Sequence, residues 1–212
     1  INIFNTSLSP SLAVAEFTMA LILYSLKKLN ENTSFIKNGI WKKKSGFLLS
    51  NKTVGIIGAG KIGKKLIKLL KNFDNDILIF DKFEDKELKK EKNIKYSSIK
   101  EIFKNSDVIS IHLPLTSDTK NLINFDLLKI MKDDSLIINT SRGEVINEED
   151  LFEFLKLNPR IHASLDVFNN EPYEGPLLNL DNVTLTPHIS AYARETRIEM
   201  ENEAVQNLLK SI

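Results

Sequence analysis

One stretch constrains this chain more than any other: Lys52-Thr53-Val54-Gly55-Ile56-Ile57-Gly58-Ala59-Gly60-Lys61-Ile62-Gly63-Lys64-Lys65-Leu66. A short β-branched apolar run leads into three closely spaced glycines and then into a segment of helical period. That order predicts a strand, a tight turn and a helix folded back on the strand. Gly58 permits the turn, Gly60 leaves room for a phosphate to approach the backbone, and Gly63 lets helix and strand pack closely. The unpaired N–H groups at the helix start form an anion site before any side chain is counted. Further on, Asp76-Ile77-Leu78-Ile79-Phe80-Asp81 reads as a second strand ending in an acid, eighteen residues beyond Gly63. Asp81 is placed to accept hydrogen bonds from ribose hydroxyls, which favours NAD over NADP, although the adjacent Lys82 leaves relaxed choice open. A purely structural turn, with Asp81 as a solvated strand end, is the plainer alternative.

The alternation continues. Candidate strands at Thr53-Ile57, Ile77-Phe80, Asp107-Ile111, Leu136-Asn139, Ile161-Leu165 and Val183-Leu185 are separated mostly by helical stretches. This pattern predicts an α/β fold, a Rossmann-like doubly wound parallel sheet with helices on both faces. Ser98-Ile99-Lys100-Glu101 reads as a capping box, and Asn124 and Asn147 as further helix caps. An earlier helix is expected from Ser9-Pro10, with Ser9 as N-cap, to about Leu29. Its apolar residues cover more than one face, so it is expected to pack on its own domain on one side and on another domain or subunit on the other. A polar connection through Asn38-Gly39-Ile40-Trp41 follows, with Trp41 read as a packing residue. The last helix is placed from about Tyr192 to Leu209, with Met200, Ala204, Val205 and Leu208 on one stripe. The organisation is thus a helical arm over about residues 1–50, a core over 51–190 and a terminal helix over 191–212.

Composition narrows the partners. With 29 basic and 28 acidic residues among 212, no global field draws the chain to nucleic acid or to a membrane surface. Lys42-Lys43-Lys44 and the segment from Lys82 to Lys95 read as solvated faces. The chain has no cysteine, which rules out disulfides and thiolate metal sites and suits a cytoplasmic location; no metal site is expected. The apolar stretch from Leu12 to Leu29 is interrupted by Glu16, Thr18 and lysines near its end, so no membrane span is expected. Ile1-Asn2-Ile3-Phe4 reads like a strand already under way, so the chain is expected to be the remainder of a longer one.

Ligands of open parallel sheets bind beyond the carboxyl ends of the strands. There the sequence collects His112-Leu113-Pro114, Thr140-Ser141-Arg142-Gly143, Asp166-Val167-Phe168-Asn169-Asn170-Glu171-Pro172 and Thr186-Pro187-His188-Ile189-Ser190-Ala191. Together with Asn5-Thr6, Ala13-Val14-Ala15-Glu16, the glycine turn and Leu165-Asp166-Val167-Phe168, these segments resemble the nucleotide-binding domain of the D-isomer-specific 2-hydroxyacid dehydrogenases. Glu174-Gly175-Pro176-Leu177 and Arg194-Glu195-Thr196-Arg197 are similar to members near phosphoglycerate dehydrogenase.

The resemblance implies a hydride transfer between NAD(H) and a D-2-hydroxy acid or its 2-oxo acid, 3-phosphoglycerate among the candidates. The chemistry suits it. Arg142 can clamp a carboxylate with two hydrogen bonds and polarise the adjacent carbonyl. His188 can give or take the proton near neutral pH, and Glu171 can orient its ring and stabilise the imidazolium. Asp166 resembles the residue at the nicotinamide end of the cofactor and Pro114 one that lines its pocket. Lys61, Ile62, Thr140, His188 and Ala191 match further cofactor-contacting positions. Singly, Arg142 reads as a surface ion-pair residue, His188 as a core histidine and Glu171 as a solvated carboxylate; their order together carries the reading. His112 and His162 match no catalytic position and are read as structural. A homodimer through the first helix and arm is expected from the apolar faces of that helix, and the resemblance implies an N-terminal substrate domain that this stretch does not contain, so the chain alone should bind NAD(H) but turn over poorly. The other class left open is an NAD(H)-sensing, corepressor-like binding protein. A simple dimerisation unit is a third reading.

Overall fold

The computed structural model describes Thr6 and residues 10–209. Its strands are β1 (Thr53–Ile57), β2 (Asp76–Phe80), β3 (Ile94–Tyr96), β4 (Val108–Ile111), β5 (Leu136–Asn139), β6 (His162–Leu165) and β7 (Val183–Leu185). All pair in parallel in the order β3-β2-β1-β4-β5-β6-β7, so the winding direction reverses between β1 and β4. The helices are α1 (Pro10–Leu26), α2 (Leu29–Lys37), α3 (Lys61–Leu70), α4 (Ile99–Asn105), α5 (Phe125–Leu128), α6 (Glu148–Leu157) and α7 (Arg194–Leu209).

Strand side chains alternate between two cores. Val54, Ile56, Val108, Leu136 and Ile138 join α1 and α3 on one face, whereas Ile57, Ile109, Ile111 and Ile137 join α4, α5 and α6 on the other. Both faces are therefore covered, which is why the strands read as continuous apolar runs. Each fully buried Ile or Leu contributes roughly 1.5–3 kcal/mol. The many lysine ion pairs, such as Lys64–Asp85 and Lys82–Asp118, lie at the solvent-exposed surface and are screened. The two cores, and not the charged surface, hold the sheet.

Helix α1 approaches the sheet through small residues and two buried hydroxyl pairs. The Thr18 hydroxyl donates to the Val14 carbonyl at 2.7 Å, so Thr140 must donate in its 2.9 Å contact with Thr18. Ser25 and Ser164 meet at 2.8 Å about two turns further along α1. The expected caps are present at Ser98, Asn124 and Asn147, with the full capping box at Ser98 and Glu101.

Four details differ from the sequence reading. The first helix stops at Leu26 rather than near Leu29, because Lys28 adopts a left-handed backbone (φ 53°) and starts α2 in a new direction. A second helix, α2, which the sequence reading did not include, occupies part of the arm up to Lys37. Trp41 does not pack within the chain: it is 85% exposed. Strand β3 was hidden in the lysine-rich segment, since only Ile94 of its three residues is buried. The expected strand at Ile1-Asn2-Ile3-Phe4, Asn5 and the Ser9 cap lie outside the described residues. Among the described residues no helix is long and apolar enough to cross a membrane.

Two histidines are built into the sheet. His112 Nε2 lies 2.9 Å from the Ser110 hydroxyl while its Nδ1 is sealed from solvent without a partner; His162 Nε2 lies 2.9 Å from the Thr184 hydroxyl. Burial pushes both rings down to about 4, aided at His162 by the charges of Lys28 and Lys44. The unfolded rings titrate near 6.5, so between pH about 6.5 and about 4 the unfolded chain holds more protons than the folded one. Their contribution is complete above that window and is lost as pH falls through it. Urea unfolding should show stability declining over this range, with both rings keeping neutral-imidazole NMR shifts down to pH about 5. Rings that titrate near 6.5 in the folded chain would contradict this.

Candidate active site

The carboxyl edge of the sheet gathers the residues singled out from the sequence. At its centre is the glycine turn. Gly58 has φ 98°, and a Cβ there would lie 2.6 Å from the His112 carbonyl. A Cβ on Gly63 would strike the Gly58 carbonyl. Both glycines are required by the chain's own packing. Gly60 is different: its φ of −70° suits any residue, and an added Cβ would meet nothing within 4 Å. The space before it is open, and Ile62 and Gly63 lie in the first turn of α3, where no carbonyl one turn back is available to their N–H groups. A diphosphate fits this combination of a bare backbone and a helix N-terminus. Lys61 is exposed at the mouth of the helix, and Ile62 packs half-buried against the core.

Asp81 closes one side. Its Oδ2 accepts from the Ala59 N–H at 2.7 Å and its Oδ1 from the Phe83 N–H at 2.9 Å, which fixes the carboxylate on the rim of a cavity of about 310 Å3. Gly58, Gly60, Pro114 and Thr119 share that cavity. Each Asp81 oxygen keeps a lone pair open to a further donor from the cavity. Lys82, the residue that would attract a 2′-phosphate, is paired with Asp118 at 2.9 Å.

Further along the same edge, beyond β4 and β5, the ends of β6 and β7 hold a hydrogen-bonded pair. His188 Nδ1 lies 2.8 Å from Glu171 Oε2, and Glu171 Oε1 accepts from the Phe168 N–H at 3.1 Å. Burial pushes the Glu171 carboxyl upward, but the His188 hydrogen bond, the Phe168 N–H and the charges of His188 and Arg142 outweigh it and leave it below the usual carboxylate range. Glu171 thus stays ionised as a partner for the ring. His188 has φ 53°, a left-handed backbone that costs free energy outside glycine. Asp166 holds it there. The Asp166 carboxylate is fully buried and accepts from the Thr186 hydroxyl at 2.6 Å, the Ile189 N–H at 2.9 Å and the Ser190 N–H at 2.8 Å. These donors bracket His188 on both sides.

Arg142 stands on the β5 turn. Asn139 builds that turn: its Nδ2 donates to the Arg142 carbonyl at 2.8 Å and its Oδ1 accepts from the Ser141 N–H at 3.0 Å. The guanidinium folds onto the Ser141 carbonyl through Nη1 at 2.6 Å and makes no hydrogen bond to Glu171 or His188. Gly143 is buried, and a Cβ there would overlap the Phe168 carbonyl, so the turns carrying Arg142 and Glu171 can approach only because it is glycine. The Thr140 hydroxyl is engaged by Thr18, and Ala191 is half-buried between Ser190 and α7. A cavity of about 570 Å3 opens beside the pair, lined by Phe168, Tyr173, Leu185 and Pro187. Burial pushes the Tyr173 phenol up to about 12, with the Glu148 carboxylate adding to the rise. Asn139, Gly143 and Thr186 are supports that sequence reasoning did not single out. The run Asn139-Thr140-Ser141-Arg142-Gly143 held a signal for the first two; nothing local marks Thr186.

Residues 19–190 match the family model for D-isomer specific 2-hydroxyacid dehydrogenase, NAD binding domain. The chain belongs to this family. It is 36% identical over 208 residues to a glyoxylate reductase of Aeropyrum pernix, covering 93% of this chain and 62% of the relative. It is 37% identical over 199 residues to a D-3-phosphoglycerate dehydrogenase of Methanocaldococcus jannaschii, covering 92% and 38% respectively. The crystal structure of D-lactate dehydrogenase from Aquifex aeolicus with NAD and lactic acid superimposes with a TM-score of 0.87 at 31% identity, covering 95% of this chain and 66% of that one. The chain spans less than two thirds of the length of these curated relatives.

The glycine geometry separates packing from binding. Gly63→Ala should destabilise the fold by about 1–3 kcal/mol through overpacking. Gly60→Ala should leave the melting temperature nearly unchanged and weaken NADH binding, read by nicotinamide fluorescence, at least tenfold, about 1.4 kcal/mol. Equal destabilisation by both, or unchanged NADH affinity in Gly60→Ala, would contradict the assignment.

Proposed function

We propose that this chain is the cofactor-binding part of an NAD-dependent oxidoreductase that interconverts a D-2-hydroxy acid and its 2-oxo acid. The observation that carries the proposal is the 2.8 Å contact of His188 and Glu171 on the same sheet edge as the glycine turn and Arg142. When bound, NAD(H) supplies or accepts the hydride. The chain's residues handle charge and the proton. Arg142, released from the Ser141 carbonyl, holds the substrate carboxylate with two donors and draws electron density from the adjacent carbonyl. His188 gives a proton to the carbonyl oxygen on reduction and takes it back on oxidation, from the ring nitrogen that Glu171 does not hold. Glu171 keeps the ring oriented and stabilises its protonated form. Asp166 sets the loop on which His188 stands, Thr140 and Ala191 line the approach, and Asp81 takes the ribose hydroxyls.

The substrate is a small 2-oxo acid in this proposal; the names of the relatives, glyoxylate reductase and D-3-phosphoglycerate dehydrogenase, set the first candidates. The remaining length of the relatives is proposed to supply the opposite wall of the cleft. A homodimer through α1 and the arm would cover the exposed apolar residues Leu12, Ile36, Ile40, Trp41 and Leu48. The cysteine-free composition suits work in the cytoplasm.

NADH oxidation by the full-length parent against a panel of 2-oxo acids tests the proposal. One acid should turn over, and His188→Ala should lower kcat by about 10²–10⁴-fold. The same preparation should sediment as a dimer. Tight NADH binding without turnover of any acid would move the function to cofactor sensing, and a monomeric parent would remove the dimer.

A further inference from the structure

The opposite edge of the sheet, where β6 and β7 begin, carries charged and imidazole groups that the proposed reaction does not use. A cavity of about 260 Å3 lies there between the start of α2, the loop through Lys44, the end of α6, the first residue of β6 and the segment Asn179 to Asn182 that leads into β7. His162, Lys28, Lys44, Lys156 and Asn179 line it. His162 opens β6 and Asp166 follows its far end, so the cavity is roughly 13 Å from the candidate active site along the strand.

His162 is a buried ring with one nitrogen spent and one available. Nε2 is taken by the Thr184 hydroxyl; Nδ1 has no hydrogen-bond partner among the described residues and is not sealed off as the Nδ1 of His112 is. The residue is 6% exposed, and its exposed edge belongs to this cavity. If Nε2 accepts from Thr184, Nδ1 carries the proton and faces the space as a donor.

The surrounding lysines sit on a built frame. The Asn32 amide and the Lys44 backbone bond reciprocally: Lys44 N–H donates to Asn32 Oδ1 at 2.9 Å, and Asn32 Nδ2 donates to the Lys44 carbonyl at 3.0 Å. The left-handed residue at the head of α2 is Lys28 itself. Asn182 Nδ2 ties the floor together through the carbonyls of Leu155, Asn158 and Ile161. Of the two carboxylates at the rim, Glu31 is occupied by Lys44 at 3.1 Å, and Asp181 is exposed. Among the described residues Lys28 and Lys156 make no ion pair, although the Lys28 charge helps to lower the Glu31 carboxyl; Lys156 rests over the Phe152 ring at 5.6 Å. Three lysines against two carboxylates leave the cavity positive, with the His162 ring at its base.

We propose that this cavity binds a small oxyanion of the phosphate class, free or as a small monoester, with His162 Nδ1–H as the oriented donor and Lys28 and Lys156 as the charges. The volume lies just below the range of about 300–1,000 Å3 typical of sites for larger ligands, which fits a compact ion. Strong hydration makes lysine a point-charge binder of phosphate rather than a bidentate one, and a neutral ring donor supplies the geometry that lysine lacks.

The chain has three histidines, so ring NMR separates the places phosphate could go: His162 reports this cavity and His188 the candidate active site. Inorganic phosphate and glycerol 3-phosphate are titrated into the chain at neutral pH, with chloride at matched ionic strength as control. The expected result is a saturable shift of the His162 ring signals with phosphate and not with chloride, weakened at least tenfold in Lys28→Met and in Lys156→Met, and unchanged in Lys129→Met. Tighter binding of glycerol 3-phosphate would assign a monoester, and equal or weaker binding free phosphate. Shifts confined to His188, a response equal to that of chloride, or full binding in both lysine variants with native circular dichroism would overturn the proposal.

Discussion

The carboxyl edge of this sheet depends on one buried carboxylate. Asp166 has no access to water, and a charge in such a place persists only when donors surround it. The Thr186 hydroxyl and the Ile189 and Ser190 N–H groups do so, and in doing so they fasten the loop after β7 to the end of β6. His188 lies inside that fastening in a backbone conformation it would not choose alone. Oδ1 has two of these donors and Oδ2 only the Ser190 N–H, so losing that one would leave a buried acceptor unpaired, at about 1–3 kcal/mol, comparable to the strain the loop carries. The interaction therefore decides where the imidazole stands before Glu171 decides how it is turned.

The two hydroxyl pairs under α1 extend the same logic to the helix. Thr140 follows directly on β5, and its donation to Thr18 joins the first helix to the turn that carries Arg142. Ser25 and Ser164 repeat the joint near the other end of the helix. Helix, β5 turn and β6 end thus form one hydrogen-bonded body around the cleft, while the outward apolar residues of α1 and the arm remain for another surface.

Much of this was legible in the sequence because parallel strands buried on both faces are apolar throughout and end in abrupt polar punctuation. Thr53–Ile57, Leu136–Asn139 and Val183–Leu185 could be read to the residue. Strand β3 could not, since an edge strand of three residues with one buried side chain leaves no period to detect. The break at Lys28 was equally invisible: a left-handed lysine has no local signature, unlike a glycine. At the site, the nearness of Glu171 and His188 followed from the order of strand ends. The fold of Arg142 onto its own turn, and the supporting roles of Asn139, Gly143 and Thr186, depend on contacts between strands distant in sequence. Trp41 shows the converse, a large apolar residue that the chain's own fold leaves in water.

A crystal structure of this chain with NADH tests the central claim most directly, that the carboxyl edge is a cofactor site shaped by glycine geometry and the Asp166 clamp. The account predicts the diphosphate on the N–H groups at the start of α3, the adenosine ribose on Asp81, and the nicotinamide near Asp166, Arg142 and His188. It also predicts that the loop from Thr186 to Ser190 keeps its present path. A dinucleotide bound elsewhere, or one that can enter only when the hydrogen bonds to Asp166 are broken, would contradict it.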